Sequence, residues 1–379
     1  MRLTVEQSAL QRAAARVAGV ADRKGAIPIL ANLMLDAQGD QLWIIATDLD
    51  IEIREFIPAE VETPGSITVS AATLSEIARN APAGAELSIR YGQGDNDPRA
   101  QVQFGRSRYQ LPVLPAGDFP IWGDLHGTET TVQIQAPDLK RVLDRVHFAQ
   151  STEGARYYLN GVYIAPRATP DGVRLRGVAT DGHRLALDEC PLPEGSDLTP
   201  VLASRKTIGE MRRLLDGLTT PVELTTSSAG LRLQTPTTRL TAKALDGSFP
   251  DYQRVVPRKW ERQITLDRVM LAAAVKRVSL ISAEKSRSVK FTIDGETLTL
   301  TVRNAEAGQA VEEIAIDDGG GHLEAGYNGK YLLDALDQTD AKRVVLRVTD
   351  GGSPARLDPH PDDQAAASGA LCVIMPLRV

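Results

Sequence analysis

Residues 177–187 read GVATDGHRLAL, which places His183 between Asp181 and Arg184 just after an Asp-Gly turn. An imidazole with a carboxylate in reach can take a proton from a nucleophile or a water, which is the chemistry of a hydrolase. That chemistry needs a nucleophile and an orienting acid that meet the ring in space. Here the acid is a close sequence neighbour, and neither His-Glu-x-x-His nor Gly-x-Ser-x-Gly occurs in the chain. The stretch also has a twin: WIIATDLDIEI (43–53) carries the same Ala-Thr-Asp between two strand-like runs, with Leu49 and Asp50 where Gly182 and His183 stand. A hydrolase using His183 with Asp181 or Asp48 is therefore the rival reading. A repeated structural hairpin, one copy of which walls a pocket, is the favoured one.

The elements around the hairpin repeat as well. GDFPIW (117–122) returns as GSFPDY (247–252). Segments 4–20, 135–150 and 265–281 have the spacing of amphipathic helices, and in the second Leu139, Val142, Leu143 and Val146 make one apolar stripe. Each is followed by a hairpin with a Gly/Asp turn, then by a short helix opening on Ser70, Ser204 or Asn328, each a suitable N-cap. Alternating strands complete each unit. The expectation is an α+β protein of three domains, 1–126, 127–254 and 255–379, each with two helices and antiparallel sheet, joined near 123–130 and 255–263. The polar run 351–369 reads as a long loop.

Composition narrows the classes. The 379 residues are 42% hydrophobic and 24% charged, as in globular proteins. Two cysteines, Cys190 and Cys372, supply neither a disulfide framework nor a zinc site, and no cofactor or metal motif is present. With neither a signal peptide nor an apolar span in view, a reducing cytoplasm is the expected compartment and no membrane partner is expected. Net charge is −6, yet the helices are basic: Arg12 and Arg16, then Lys140, Arg141 and Arg145, then Arg205, Lys206 and Arg212, then Lys276 and Arg277. Basic helices in an acidic chain predict a face that attracts phosphate without reading bases.

In their order and over the whole length, PILANLML, ATDLDIEI, GRSRYQL, RYYLNG, VATDGHRLAL, SRKTIGEMRRLLDG, DGSFPDYQRVVP, SAEKS and the terminal VIMPLRV resemble the motifs of the bacterial DNA sliding clamps, the β subunits of DNA polymerase III. The resemblance implies three clamp domains per chain and a head-to-tail homodimer forming a six-domain ring around double-stranded DNA. It implies no enzyme but a processivity factor, or a specialised clamp paralogue. Expected partners are the polymerase III α subunit, the clamp loader, and other polymerases and repair proteins with short Leu/Phe-containing motifs. Carried over residue by residue, the partner groove comprises Arg156, Tyr158, Leu159, Thr180, Gly182, His183, Arg184, Leu185, Pro250, Arg254, Val255, Asn328, Tyr331, Val373, Met375, Pro376, Leu377, Arg378 and Val379. Lys24, Arg156 and Tyr157 join the helix cations as DNA-facing, and Arg106, Arg108, Tyr109, Leu111, Leu280, Ile281, Glu312 and Glu313 are assigned to the dimer seam.

Size supports two chains per ring. A domain of about 126 residues has a diameter of roughly 35 Å; three in a ring leave a hole of only about 5 Å, six leave one of roughly 35 Å. Only the larger hole clears a duplex, whose major groove alone is ~12 Å wide.

Overall fold

The computed structural model describes residues 1–92, 99–282, 287–317, 319–363, 366 and 369–378. Residues 283–286 of the SAEKS motif and Val379 lie outside the described residues. By internal packing the chain forms two compact units, one of residues 1–137 with 197–244, the other of 138–196 with 245–379. No described helix is long and apolar enough to cross a membrane.

The first unit holds α1 (Gln7–Val17) and α2 (Ala71–Asn80). A five-stranded sheet runs in the order Glu60–Thr63, Arg2–Glu6, Glu86–Arg90, Arg99–Phe104, Ser107–Pro112, so the last of these is an edge. An eight-stranded sheet runs Thr130–Gln135, Pro221–Ser227, Gly230–Gln234, Thr238–Lys243, Ile51–Pro58, Gln41–Thr47, Asn32–Gln38, Gly65–Ser70. At its centre Thr238–Lys243 pairs antiparallel with Ile51–Pro58, Glu55 facing Thr238 and Ile51 facing Ala242. Leu3, Leu10, Leu33, Leu42, Ile44, Ile53 and Leu74 fill the core.

The second unit contains α3 (Ala136–Val146, whose first two residues fall in the other unit), α5 (Arg268–Val278) and α6 (Gly329–Asp337); α4 (Arg205–Leu215) belongs to the first. Seven of its strands are neighbours in the order Gly161–Thr169, Gly172–Thr180, Arg184–Pro191, Leu371–Ile374, Ala355–Pro359, Arg343–Val348, Arg262–Asp267. A four-stranded sheet runs Gly308–Ala315, Thr297–Asn304, Ser288–Asp294, Leu323–Asn328, and here Gly308–Ala315 is the edge. The stripe Leu139, Val142, Leu143 and Val146 is buried as its spacing requires.

Two expectations are corrected. Part of the 351–369 run is strand: Ala355, Leu357 and Asp358 are buried between two neighbouring strands. The first helices start later than their apolar spacing suggested, because Arg2–Glu6, Thr130–Gln135 and Arg262–Asp267 are strands that run straight into them.

The second helices begin where the sequence placed them. Ser70 accepts from Thr73 N–H, Ser204 from Thr207 N–H, and Asn328 Oδ1 from Lys330 and Tyr331 N–H at 3.0 and 3.4 Å. These bonds satisfy amides that the helix itself leaves open. Asn328→Ala should destabilise the fold by about 1 kcal/mol in urea titration, with the main transition otherwise unchanged.

Candidate partner groove and repeated hairpin

The Thr-Asp turn recurs atom for atom. In the first copy Asp48 Oδ1 accepts the amides of Asp50 and Ile51 at 3.0 and 2.7 Å, while Thr47 Oγ1 donates to Ile51 O and accepts Leu49 N–H. In the second, Asp181 Oδ1 accepts those of His183 and Arg184 at 2.9 and 3.0 Å, and Thr180 Oγ1 makes the matching pair with Arg184 O and Gly182 N–H. Asn304 supplies a third copy, accepting from Glu306 and Ala307 at 2.9 and 3.2 Å. Sequence reading missed this one, because Asn replaces Asp and no Thr precedes it. In the two Thr-Asp copies the residue after the aspartate is left-handed: Gly182 has φ +87°, and a Cβ there would lie 2.8 Å from an Arg156 nitrogen. Leu49 adopts the same region at +77°.

This geometry disposes of His183 as a catalyst's base oriented by Asp181. The carboxylate is committed: Oδ1 holds two backbone amides and Oδ2 takes Arg184 Nε at 3.1 Å. Arg184 is itself buried. Its guanidinium also donates to Asp334 and to Phe148 O, both at 2.6 Å, and lies 5.1 Å from the Phe148 ring centroid and 4.4 Å from that of Tyr331.

Around this fixed arginine, Leu159, Thr180, Gly182, Arg184, Leu185, Pro250, Val255, Val373 and Met375 line one concavity of about 210 Å³, joined by Asp251 and Tyr252, which sequence reading left out. Strand pairing builds the floor: Arg184 faces Ile374 and Leu185 faces Val373. The tail then turns outward as Pro376 interrupts the ladder, held by Met375 N–H to His183 O at 2.9 Å and Leu377 N–H to Gly326 O at 2.8 Å. Exposed Met375 and Val255 form its lips. Of the other expected residues, Arg156 covers Gly182 and donates to Asp181 O, Tyr158 packs on Gly247, and Tyr331 packs on Arg184. His183, Arg254 and Arg378 are exposed, while Asn328 is occupied as a helix cap. An apolar trough with a few convergent polar groups suits a short apolar segment.

The first unit has the same register without the trough. Glu52 stands between Thr47 and Thr241 as Leu185 stands between Thr180 and Val373, and Lys243 N–H bonds Asp50 O at 2.9 Å as Met375 bonds His183 O. The apolar floor is thus replaced by Glu52, Thr241 and Lys243. Trp122, placed in GDFPIW as Tyr252 is in GSFPDY, closes the site. Its N–H donates to Glu52 Oε2 at 2.8 Å, its C=O accepts from Arg54 at 2.5 Å, and Lys243 Nζ sits 5.5 Å from its ring centroid. Burial pushes the Glu52 carboxyl above the ordinary range despite those partners.

A third repeated feature joins helices to strands. Arg16, Arg145 and Arg277 are the next-to-last residues of α1, α3 and α5. They meet Glu55 at 2.5 Å, Asp188 at 3.6 Å, and Glu312 through Nε at 2.9 Å. The carboxylates of Glu55 and Asp188 are 2% and 0% exposed; that of Glu312, on an edge strand, is 25% exposed. The Arg277 hydrogen bond holds the Glu312 carboxyl below the usual carboxylate range.

This corrects the DNA-facing set. Arg145 is buried and bound to Asp188 and Asp340, so it is not a surface cation; Arg141 reaches Asp188 at 2.6 Å and Lys140 reaches Asp144 at 2.6 Å. Arg16 is half-buried on Glu55, and Lys206 bonds Asp48 and Val20 O. Arg12, Lys24, Arg205, Lys276, Arg277 and Tyr157 are exposed, and Arg156 and Arg212 partly so. On the seam list, Arg106, Arg108, Tyr109 and Glu313 are exposed and Leu280 is 79% exposed, but Leu111 is buried and Ile281 packs on the core cluster around α5.

Three repeats, two matching edge strands and an apolar groove define a clamp. Models of the N-terminal, central and C-terminal domains of the DNA polymerase III beta subunit match residues 1–123, 133–251 and 253–378. The chain belongs to that family, the bacterial sliding clamps. The Beta sliding clamp of Caulobacter vibrioides NA1000 is 47% identical over 380 residues, covering 100% of both chains, and that of Escherichia coli K12 is 32% identical over 382 with the same coverage. A crystal structure of the C. crescentus beta sliding clamp with bound PEG superposes with a TM-score of 0.94 at 45% identity, covering 100% of this chain and 99% of that one. The Pseudomonas aeruginosa subunit gives 0.92 at 34%, with full coverage of both chains.

Proposed function

We propose that two chains close head to tail into a ring that slides on double-stranded DNA in the cytoplasm, and that the groove at Leu185, Val373 and Met375 tethers polymerases, the clamp loader and repair proteins by short apolar peptides. The ring performs no chemistry. Its repeats divide near residues 126 and 254.

One observation carries the closure. Strands Ile51–Pro58 and Arg184–Pro191 each follow the repeated turn, and each is paired by the last strand of a repeat, Thr238–Lys243 or Leu371–Ile374. Gly308–Ala315 and Ser107–Pro112 are the remaining members of those two classes, and both are edges. Transferring the register puts Gly308 opposite Leu111, Ala310 opposite Tyr109 and Glu312 opposite Ser107 on the other chain, so that Arg106 and Arg108 flank Glu312 and Glu313. Edge pairing with different surfaces on each side gives a heterologous contact that closes after two copies.

Retention then comes from topology. Phosphate contacts of Kd about 10⁻⁴ to 10⁻⁶ M allow sliding, which tight contacts would stop. The test is loading onto nicked circular plasmid: protein should stay bound through gel filtration and leave when the plasmid is linearised. Loss from the closed circle, or retention on linear DNA, would overturn the reading. With a short duplex, Arg12→Ala should lower the slope of log K against log salt by about 1 without changing retention on circles.

A further inference from the structure

We infer that Arg176 is a positioning residue for the groove, joining the buried carboxylate of Glu189 to the hydroxyl of Tyr252 so that the outer wall stays at the width a partner peptide needs; this rests on the groove reading above.

The wall is a segment with little regular structure. Residues 249–256 cross the outer face of the sheet, where Phe249, Tyr252 and Val256 pack on Val178, Leu185, Leu187 and Val373. Apolar packing alone sets no unique depth or angle for such a segment, whereas a hydrogen bond does. Arg176 supplies one, its guanidinium donating to Tyr252 Oη at 2.9 Å with the same group 5.8 Å from the ring centroid. Tyr252 is held on its other side by Phe249, centroids 6.3 Å apart, and Phe249 lies flat on Tyr163 at 5.2 Å. The hydroxyl is thus pinned while Tyr252 lines the groove together with Pro250 and Val255.

Arg176 is held in turn. Its Nε donates to Glu189 Oε1 at 2.5 Å, and Glu189 is buried with Arg167 at 2.9 Å and Arg174 at 3.3 Å. Three arginines on one buried carboxylate fix its position and leave the Arg176 fork able to reach Tyr252 as well. Lysine carries its donors on one compact nitrogen and lacks the planar fork whose separate nitrogens reach Glu189 and Tyr252 here. In the first unit Trp43 and Phe56 occupy the registers of Arg176 and Glu189, ring centroids 5.1 Å apart, and the wall residue Trp122 is pulled in by its backbone instead. The polar relay is therefore present where the groove is open and absent where it is closed.

The experiment uses the full-length dimer and a fluorescein-labelled peptide with a Leu-Phe core. Tyr252→Phe keeps the ring and removes the acceptor; it should weaken binding about fivefold, mainly through faster dissociation, with Tm held within about 2 °C. Arg176→Lys should weaken binding similarly, and the double variant no more than either single one, since both break the same link. Met375→Ala is the control on the groove. If it weakens binding while Tyr252→Phe does not, or if the two relay variants add, the relay falls and the groove stands. If Met375→Ala leaves binding unchanged, groove and relay fall together.

Discussion

Leu280→Asp combined with Val311→Asp should convert the protein to a monomer of 40.9 kDa in sedimentation and abolish retention on circular DNA. Both side chains are unusually open for large apolar residues, at 79% and 52% exposure, so the folded chain tolerates the change. Val311 lies in the edge strand Gly308–Ala315 and Leu280 in the turn next to it, and the transferred register covers that strand with Ser107–Pro112 of the other chain. Covering each side chain is worth about 1.5–3 kcal/mol, and a ring of two chains has two seams. Placing an unpaired carboxylate there adds a penalty of several kcal/mol per group. The sum exceeds 1.4 kcal/mol per decade many times over, so dissociation should shift by at least about a thousandfold. Leu280 and Val311 are better sites than Ile281, whose packing on the core would mix lost folding with lost dimer. The seam should also hide the Glu312 carboxylate, as those of Glu55 and Asp188 in the corresponding pairs are already hidden. A persistent dimer at micromolar concentration would rule out this edge.

What could be read from the chain beforehand was what depends on neighbours in sequence. The helix caps at Ser70, Ser204 and Asn328, the apolar stripe of α3 and the hairpin turns are local, and all were where spacing put them. The misplaced features depend on partners far along the chain. Arg145 looks like its neighbours Lys140 and Arg141 in the sequence, yet the fold buries its side chain against Asp188 and leaves theirs about a quarter exposed. Alternation along a strand puts Leu111 on the same face as Tyr109, and only the fold shows that this face is covered at Leu111 and open at Tyr109. The same alternation buries Leu357 in a run whose composition suggested a loop. Asp251 and Tyr252 were missed because they line the groove only once residues 249–256 fold back on the sheet around Leu185 and Val373. The lack of a groove in the first unit was legible in principle: Glu52 in place of Leu185 is visible in the aligned hairpins, but its meaning depends on Trp122.

Removing residues 375–379 should weaken peptide binding about a hundredfold while leaving the dimer and its retention on circular DNA intact, as measured by fluorescence anisotropy beside sedimentation. The deletion takes away the Met375 lip and the two backbone bonds that hold the tail, Met375 to His183 and Leu377 to Gly326. Burying an apolar side chain such as Met375 contributes about 1.5–3 kcal/mol, and loss of an ordered rim adds the cost of ordering the peptide against a poorer surface. Together these amount to about 3 kcal/mol, or two decades in Kd. Folding should survive because the last strand, Leu371–Ile374, ends before the cut and keeps its pairing to Arg184–Leu187 and to Ala355–Leu357. Met375→Ala alone, with the backbone bonds kept, should give about a tenfold loss. The ratio between these two variants separates the contribution of the side chain from that of the tail's shape. Equal affinities for all three proteins would place the peptide elsewhere, since an apolar ligand seated there cannot lose that lip without weakening.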